Sequence, residues 1–281
     1  MSRTKIWRRT IVGLAAVVSI VGCSGGEEPG GTESMDRGLD SLPDSGAAAI
    51  AGIEIPSGRK VLDGRAWLTY QFVEDADSLV AELRSVYPRT GLWPLLADTS
   101  PGDATRPWAS SDYEFNPPSV EEVDNVNPDE VFGRLWTALR ISAGQRKPVG
   151  AVLGEITDLS APGEQRRPTG PYQIMLVEVA RPADVPAYLG WSPSDQMSPV
   201  ELSSLLRFWE DVLGWRLAGV GLTALELEGR FPTEAAETDR YNIAARVMAF
   251  CPPQYGAMSL KEVEADLSRF PDLSFFSFES P

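Results

Sequence analysis

Apolar side chains recur along the chain in two patterns. Short apolar or alternating runs predict strands, and spacings of three and four residues predict helices. Runs rich in aromatic and β-branched residues lie between turn-forming residues, as is typical of buried or half-buried strands. The predicted strands are 66–73, 91–96, 149–159, 172–179, 216–220, 223–228 and 273–278. The run at 172–179 is continuously apolar in its centre, which indicates a central strand of a sheet.

Apolar residues spaced three and four apart predict five helices. They are expected at 75–87, 127–144, 198–213, 234–249 and 259–269. Ser198 with Glu201, and Ser259 with Glu262, have the spacing of a capping box, and Pro88 is expected to end the first helix. Strands and helices alternate with hairpin-like strand pairs. We therefore predict an α+β fold, a mixed sheet flanked by helices in a single domain.

The N-terminus has the pattern of a bacterial lipoprotein signal peptide. Four cationic residues in the first nine precede an apolar stretch at 11–21, which is too short to span a bilayer as a stable helix. Ile20-Val21-Gly22-Cys23 then fits the lipoprotein cleavage pattern. We predict a signal at 1–22, a diacylglycerol on the Cys23 thiol, and an extracytoplasmic protein held on the cell membrane. The alternative is an uncleaved transmembrane anchor.

Residues 23–51 predict a flexible linker that follows the lipidated cysteine. The segment is rich in Gly, Ser, Glu, Asp and Pro, and it has too few large apolar residues to offset the entropy of ordering. The globular domain is then expected at 52–281. A second polar, Pro-rich stretch at 98–126 is long enough to predict a functional or mobile loop within that domain.

Charge and composition exclude several functions. The 281-residue chain has a net charge of −15, which opposes binding to nucleic acid and favours a protein partner with a basic surface. It contains no histidine, so histidine-based nucleophilic catalysis and His-ligated zinc are excluded. We expect no cofactor and no metal. With Cys23 lipidated, Cys251 has no disulfide partner and is expected to be buried.

A few polar motifs suggest chemistry, and each has a simpler interpretation. Glu226 and Glu228 share a strand face and could act as a carboxylate pair, with Asp239 as a further candidate, but a solvated outer face is the simpler explanation. The Gly-x-Gly-x-x-Ala string at 219–224 predicts a β-turn rather than a phosphate loop, because a strand-like run follows it. Helix capping explains the acidic segment at 124–130 better than calcium binding does.

Aromatic residues in loops are the candidate ligand contacts. Trp108 and Tyr113 lie within the polar loop at 98–126, and Trp191 lies at the end of an aromatic segment. Aromatic rings beside carboxylates bind sugars or peptides. The simpler interpretation of such rings is the hydrophobic core. We keep Trp108, Tyr113 and Trp191 as candidate binding residues.

The C-terminal third contains a characteristic order of aromatic and aliphatic segments. They are 186–191, 208–215, 225–227, 231–232, 244–252 and 275–279, with 90–96 further upstream. In this order the chain resembles the bacterial DUF4253 family, most clearly over 186–281 and more weakly back to about residue 60. The resemblance implies a shared fold and no known activity. Aspartates common in the family are replaced here by Pro253 and in the Gly221-Leu222-Thr223 segment, and the terminal Trp-Trp-Asp is Ser277-Phe278-Glu279, which counts against a carboxylate active site.

These observations predict a non-enzymatic, lipid-anchored extracytoplasmic protein that binds a protein or a cell-envelope ligand. One alternative is a cell-wall hydrolase that uses Glu226, Glu228 or Asp239. Another is an immunity or accessory protein whose acidic surface covers a basic partner.

Overall fold

A computed structural model of the protein describes residues 38–97, 117–145, 172–221, 223–269 and 273–278. All of these described residues belong to one compact unit. The described part is an α+β fold with one mixed sheet and helices on both of its faces. Its helices and strands therefore confirm the fold class predicted from the sequence.

Eight strands form the sheet in the order β1-β2-β3-β5-β4-β6-β7-β8. Their bounds are β1 Ser45–Ile50, β2 Ile53–Val61, β3 Ala66–Thr69, β4 Leu92–Ala97, β5 Gln173–Glu178, β6 Arg216–Val220, β7 Ala224–Glu228 and β8 Leu273–Ser277. Strands β4 and β6 pair in parallel through Leu96–Gly219 and Ala97–Val220, and every other named pair is antiparallel.

Seven α-helices are present in the described part of the chain. They are α1 Ala76–Thr90, α2 Pro128–Gln145, α3 Val185–Leu189, α4 Pro199–Leu213, α5 Glu237–Phe250, α6 Pro252–Tyr255 and α7 Leu260–Arg269. Within the described ranges, short 3-10 helices occur at Leu39–Ser41, Val120–Asn125 and Pro182–Asp184. No helix among the described residues has the length and apolar character needed to cross a membrane.

The sheet separates two hydrophobic cores, because alternate side chains of each strand point to opposite faces. In β5, Ile174 and Leu176 belong to a smaller core with α1, whereas Met175 and Val177 belong to a larger core. The larger core is covered by α2, α4, α5 and α7. Since both faces of β5 are covered, its apolar run is continuous, as predicted for a central strand.

Residues 39–50 correct the predicted linker. The sequence predicts a flexible segment over 23–51, but the structure places Leu39–Ser41 in a 3-10 helix and Ser45–Ile50 in β1. Glu178 accepts a hydrogen bond from the Leu39 N–H at 2.9 Å, and β1 pairs with β2 through a register that includes Ile50 and Ile53. Cross-strand pairing thus orders a segment whose composition favours disorder. Residues 23–37 of the predicted linker lie outside the described residues.

Candidate functional site

An open groove of about 460 Å³ lies between α2 and α5 at the protein surface, and we call it the α2–α5 groove. From α2 it is lined by Asp129, Phe132, Gly133 and Trp136. Successive members of this set are three, one and three residues apart, so all four lie on one face of the helix. Gly133 is exposed, and a Cβ atom placed there would meet nothing within 4 Å.

The facing side of the groove comes from α5 through Asn242, Ala245, Arg246 and Ala249. This set has the same spacing as the set on α2, so each helix presents one matching face to the groove. The small side chains of Ala245 and Ala249 leave the space that the groove occupies. Phe132 and Ala249 are buried, whereas Trp136 is half-buried, so apolar surface continues from the core into the groove.

The charged residues of the groove form one ion pair. Nη2 of Arg246 lies 2.8 Å from Oδ1 of Asp129, and the Arg246 guanidinium lies 4.8 Å from the ring centre of Phe132 and 4.5 Å from that of Phe208. Buried against these rings, Nη1 of Arg246 has no hydrogen-bond partner within the described part of the chain. Cation–π attraction and the ion pair together hold this arginine in place. The Asp129 side chain remains 68% exposed.

Of the aromatic residues predicted as ligand contacts, the structure describes Trp191, which does not line this groove. Trp191 is only 3% exposed and belongs to the larger core, so its burial excludes it as a surface contact and corrects the prediction. Trp108 and Tyr113 lie outside the described residues, and their predicted role stays a prediction.

The two glutamates of β7 have different environments, which corrects the expectation of a shared solvated face. Glu226 is 3% exposed, whereas Glu228 is exposed and pairs with Arg84 of α1. Neighbouring Leu225 and Leu227 face the larger core, so both glutamates point to the opposite face of the sheet. Asp239 is exposed in the first turn of α5, a helix that lies on the side of the sheet that holds the larger core. The sheet therefore separates Asp239 from the glutamates.

The other polar motifs have structural roles. Gly221 donates its N–H to the carbonyl of Ala224 between β6 and β7, so the Gly-rich string is part of a strand hairpin, as predicted. Asp129 donates its N–H to Oδ1 of Asn127 at 3.0 Å, so Asn127 caps α2. Among the described residues no group of three or more His, Cys, Asp or Glu side chains could hold a metal ion.

Cys251 is buried between α5 and α6 and does not form a disulfide. Burial raises the pKa of its thiol to about 12. The thiol is therefore protonated at neutral pH and is a poor nucleophile.

The C-terminal part of the fold carries the family relationship. Residues 173–276 match the sequence model of a domain of unknown function, DUF4253. The chain thus resembles the DUF4253 family over the segment that begins in β5 and ends in β8, close to the region expected from the sequence. No curated protein matches the chain, and no solved structure matches it.

The α2–α5 groove combines one helix from within the DUF4253 match and one from before it. Helix α5 lies inside residues 173–276, and α2 precedes them. The groove cannot be predicted from the sequence of either helix, because α2 and α5 are distant in the chain and meet only in the folded structure. The feature of the sequence that could have indicated the groove is Gly133, which lies on the same face of an amphipathic helix as Phe132 and Trp136.

Proposed function

We propose that the protein is a membrane-anchored extracytoplasmic lipoprotein whose folded domain binds another protein through the α2–α5 groove. The observation that carries the binding role is a surface groove with aromatic and small apolar residues beside a fixed ion pair. Ligand sites combine apolar surface with a few polar groups in this way. The groove volume of about 460 Å³ falls within the range of roughly 300–1,000 Å³ that is usual for such sites.

The chemistry of the described residues favours binding over catalysis. The carboxylates of Glu226 and Asp239 lie on opposite faces of the sheet, and the Cys251 thiol is buried with a raised pKa. Within the groove the charged groups are Asp129 and Arg246, which form an ion pair through one carboxylate oxygen of Asp129. An apolar surface beside one ion pair suits recognition of a partner better than proton transfer.

The binding role is tested by filling the groove. Gly133→Leu places an apolar side chain into open space on α2, so the fold is retained while the groove is occupied. Ala81→Leu is the matched control, since it adds a similar side chain to an exposed position of α1 on the other face of the sheet. Cross-linking in membrane extracts should show a partner bound by the wild type and Ala81→Leu proteins and lost in Gly133→Leu. Equal capture by all three proteins would contradict the proposal.

The anchor is tested by the mass of the mature N-terminus. The signal pattern that ends at Cys23 supports cleavage before this residue and attachment of a diacylglycerol to its thiol. Mass spectrometry of protein from the native membrane should find acylated Cys23 as the first residue. Cys23→Ala should move the protein out of the membrane fraction. Unmodified Cys23, or a retained Met1, in the wild type would refute lipid anchoring.

A further inference from the structure

We infer that the α2–α5 groove recognises a peptide segment in which an apolar side chain stands next to a basic one. This inference rests on the proposed function and specifies the chemistry of the partner. Three features of the groove carry it, namely its apolar interior, the exposed carboxylate at one end and the exposed amide on α5.

The apolar interior provides the site for an anchor side chain. Gly133, Ala245 and Ala249 contribute almost no side-chain volume, while Phe132 and Trp136 supply aromatic surface beside them. An aliphatic or aromatic side chain entering the groove therefore exchanges water for apolar contacts along both helices. The groove volume exceeds that of one such side chain, so adjacent backbone can enter with it.

The charges favour a cation beside the anchor. The Arg246 guanidinium bonds Oδ1 of Asp129 through Nη2 and packs on two phenylalanine rings, and its Nη1 is buried, so this cation is poorly accessible to an anionic ligand. Asp129 itself is 68% exposed, and the neighbouring Glu130 is exposed as well. The net charge of −15 adds a repulsion against acidic ligands. A lysine or arginine next to the anchor therefore gains attraction, and an aspartate or glutamate loses it.

Asn242 supplies the polar contact expected for a peptide backbone. It is exposed on α5, one turn from Ala245 and Arg246, at the groove surface. A carboxamide offers both a donor and an acceptor, so it can pair with the N–H and the C=O of an extended peptide. Recognition would then combine an apolar anchor, a salt bridge to Asp129 and backbone hydrogen bonds to Asn242.

The test uses three blocked tetrapeptides and one sugar. The peptides are Ac-Gly-Leu-Lys-Gly-NH2, Ac-Gly-Leu-Glu-Gly-NH2 and Ac-Gly-Ala-Lys-Gly-NH2, and the sugar is the disaccharide of N-acetylglucosamine. NMR titration of the full-length mature protein follows the indole N–H of Trp136, which is assigned with Trp136→Phe. We expect the Leu-Lys peptide to bind best. Loss of the leucine should weaken binding about tenfold.

Variants separate the anchor from the charge. Gly133→Leu should abolish the Leu-Lys titration, and Asp129→Asn should weaken it about two- to fivefold, as for an exposed ion pair. Glu82→Gln is the matched control, because it removes one exposed carboxylate from α1 on the opposite face of the sheet. Its affinity should equal that of the wild type.

Equal affinity for the Leu-Lys and Leu-Glu peptides would overturn the inference, as would binding of the disaccharide without binding of any peptide. If no peptide binds while the cross-linked partner still depends on Gly133, the peptide chemistry is wrong and the proposed function stands. If the Leu-Lys peptide binds but no partner in the membrane depends on Gly133, the proposed function fails and the chemical preference stands.

Discussion

The residues with the largest pKa shifts in the described part of the chain pack around α6. Burial raises the pKa of Cys251 to about 12, and burial together with nearby Asp266 raises the pKa of Tyr255. The Tyr255 hydroxyl donates a hydrogen bond to Oδ2 of Asp266 at 3.2 Å. These groups lie in the packed interior around α6 and α7, outside the α2–α5 groove. Their pKa shifts therefore concern the stability of the fold and not the groove.

Cys251 should resist alkylation in the native protein. In a Cys23→Ala background it is the single thiol of the chain. At pH 8 the buried, protonated thiol should react with iodoacetamide far more slowly than free cysteine, and the reaction should become fast in denaturant. The rate is measured by mass spectrometry over time. Rapid labelling of the folded protein would show that the site around α6 is open.

Asp266 should destabilise the fold at neutral pH. Desolvation raises the pKa of its carboxyl above the unfolded value despite the Tyr255 hydrogen bond and Arg269. The folded state therefore binds the proton more tightly, and stability rises as the pH falls through the raised pKa. Asp266→Asn imitates the protonated form. It should be more stable than the wild type at pH 7, by urea unfolding, and the difference should shrink in acid.

Glu262 has a pKa shift of the opposite sign to that of Asp266 and serves as its control. Hydrogen bonds from Ser259 lower the pKa of the Glu262 carboxyl, so its contribution to stability is present at neutral pH and is lost as the pH falls through the lowered pKa. Glu262→Gln should therefore destabilise the protein at pH 7. Equal shifts of stability in Asp266→Asn and Glu262→Gln would contradict this assignment.

At the scale of elements, the ends of the helices show where the sequence predicts the structure correctly and where it does not. Ser198 and Glu201 form both hydrogen bonds of the predicted capping box, and α4 ends before Gly214 in the left-handed conformation. Pro88 does not end α1 as expected. It lies in the last turn, where its missing N–H costs a single helical bond, and α1 continues to Thr90 before Gly91.

Strands β1 and β2 show why the pattern of apolar residues does not predict every element of the sheet. Residues 45–50 contain serine, glycine and three alanines, which have low strand preference, yet they form β1 through pairing with β2. The predicted strand at 149–159 lies outside the described residues. The local pattern thus predicts six of the eight described strands, whereas β1 and β2 are not predicted and pair with each other at the start of the sheet. The α2–α5 groove depends on tertiary contacts in the same way.

Two glycines should respond oppositely to alanine. Gly133 lies within α2, and Gly91 caps α1 with a φ of 70°, while a Cβ atom at either position meets nothing within 4 Å. Gly133→Ala should stabilise the protein by about 0.5–1 kcal/mol through helix propensity. Gly91→Ala should destabilise it by about 1 kcal/mol because of the left-handed backbone. Urea unfolding measures both, and the same sign for the two variants would contradict the assigned conformations.

At the scale of the whole molecule, the fold begins earlier in the chain than its composition predicts. Gly38 donates its N–H to the carbonyl of Thr90, and a Cβ atom there would lie 2.5 Å from the Glu178 carboxylate. The chain is thus attached to the domain from residue 38 onward. Under the proposed lipid anchor, the linker runs from Cys23 to this attachment. It is therefore shorter than the predicted linker at 23–51.

The measurement that most directly tests binding through the α2–α5 groove is site-specific photo-crosslinking in living cells. A benzophenone amino acid at position 133 places the reactive group in the groove, and the same residue at position 81 places it on α1. We predict a protein adduct in the membrane fraction from position 133 and none from position 81. Absence of an adduct at 133, with efficient labelling at 81, would contradict the account.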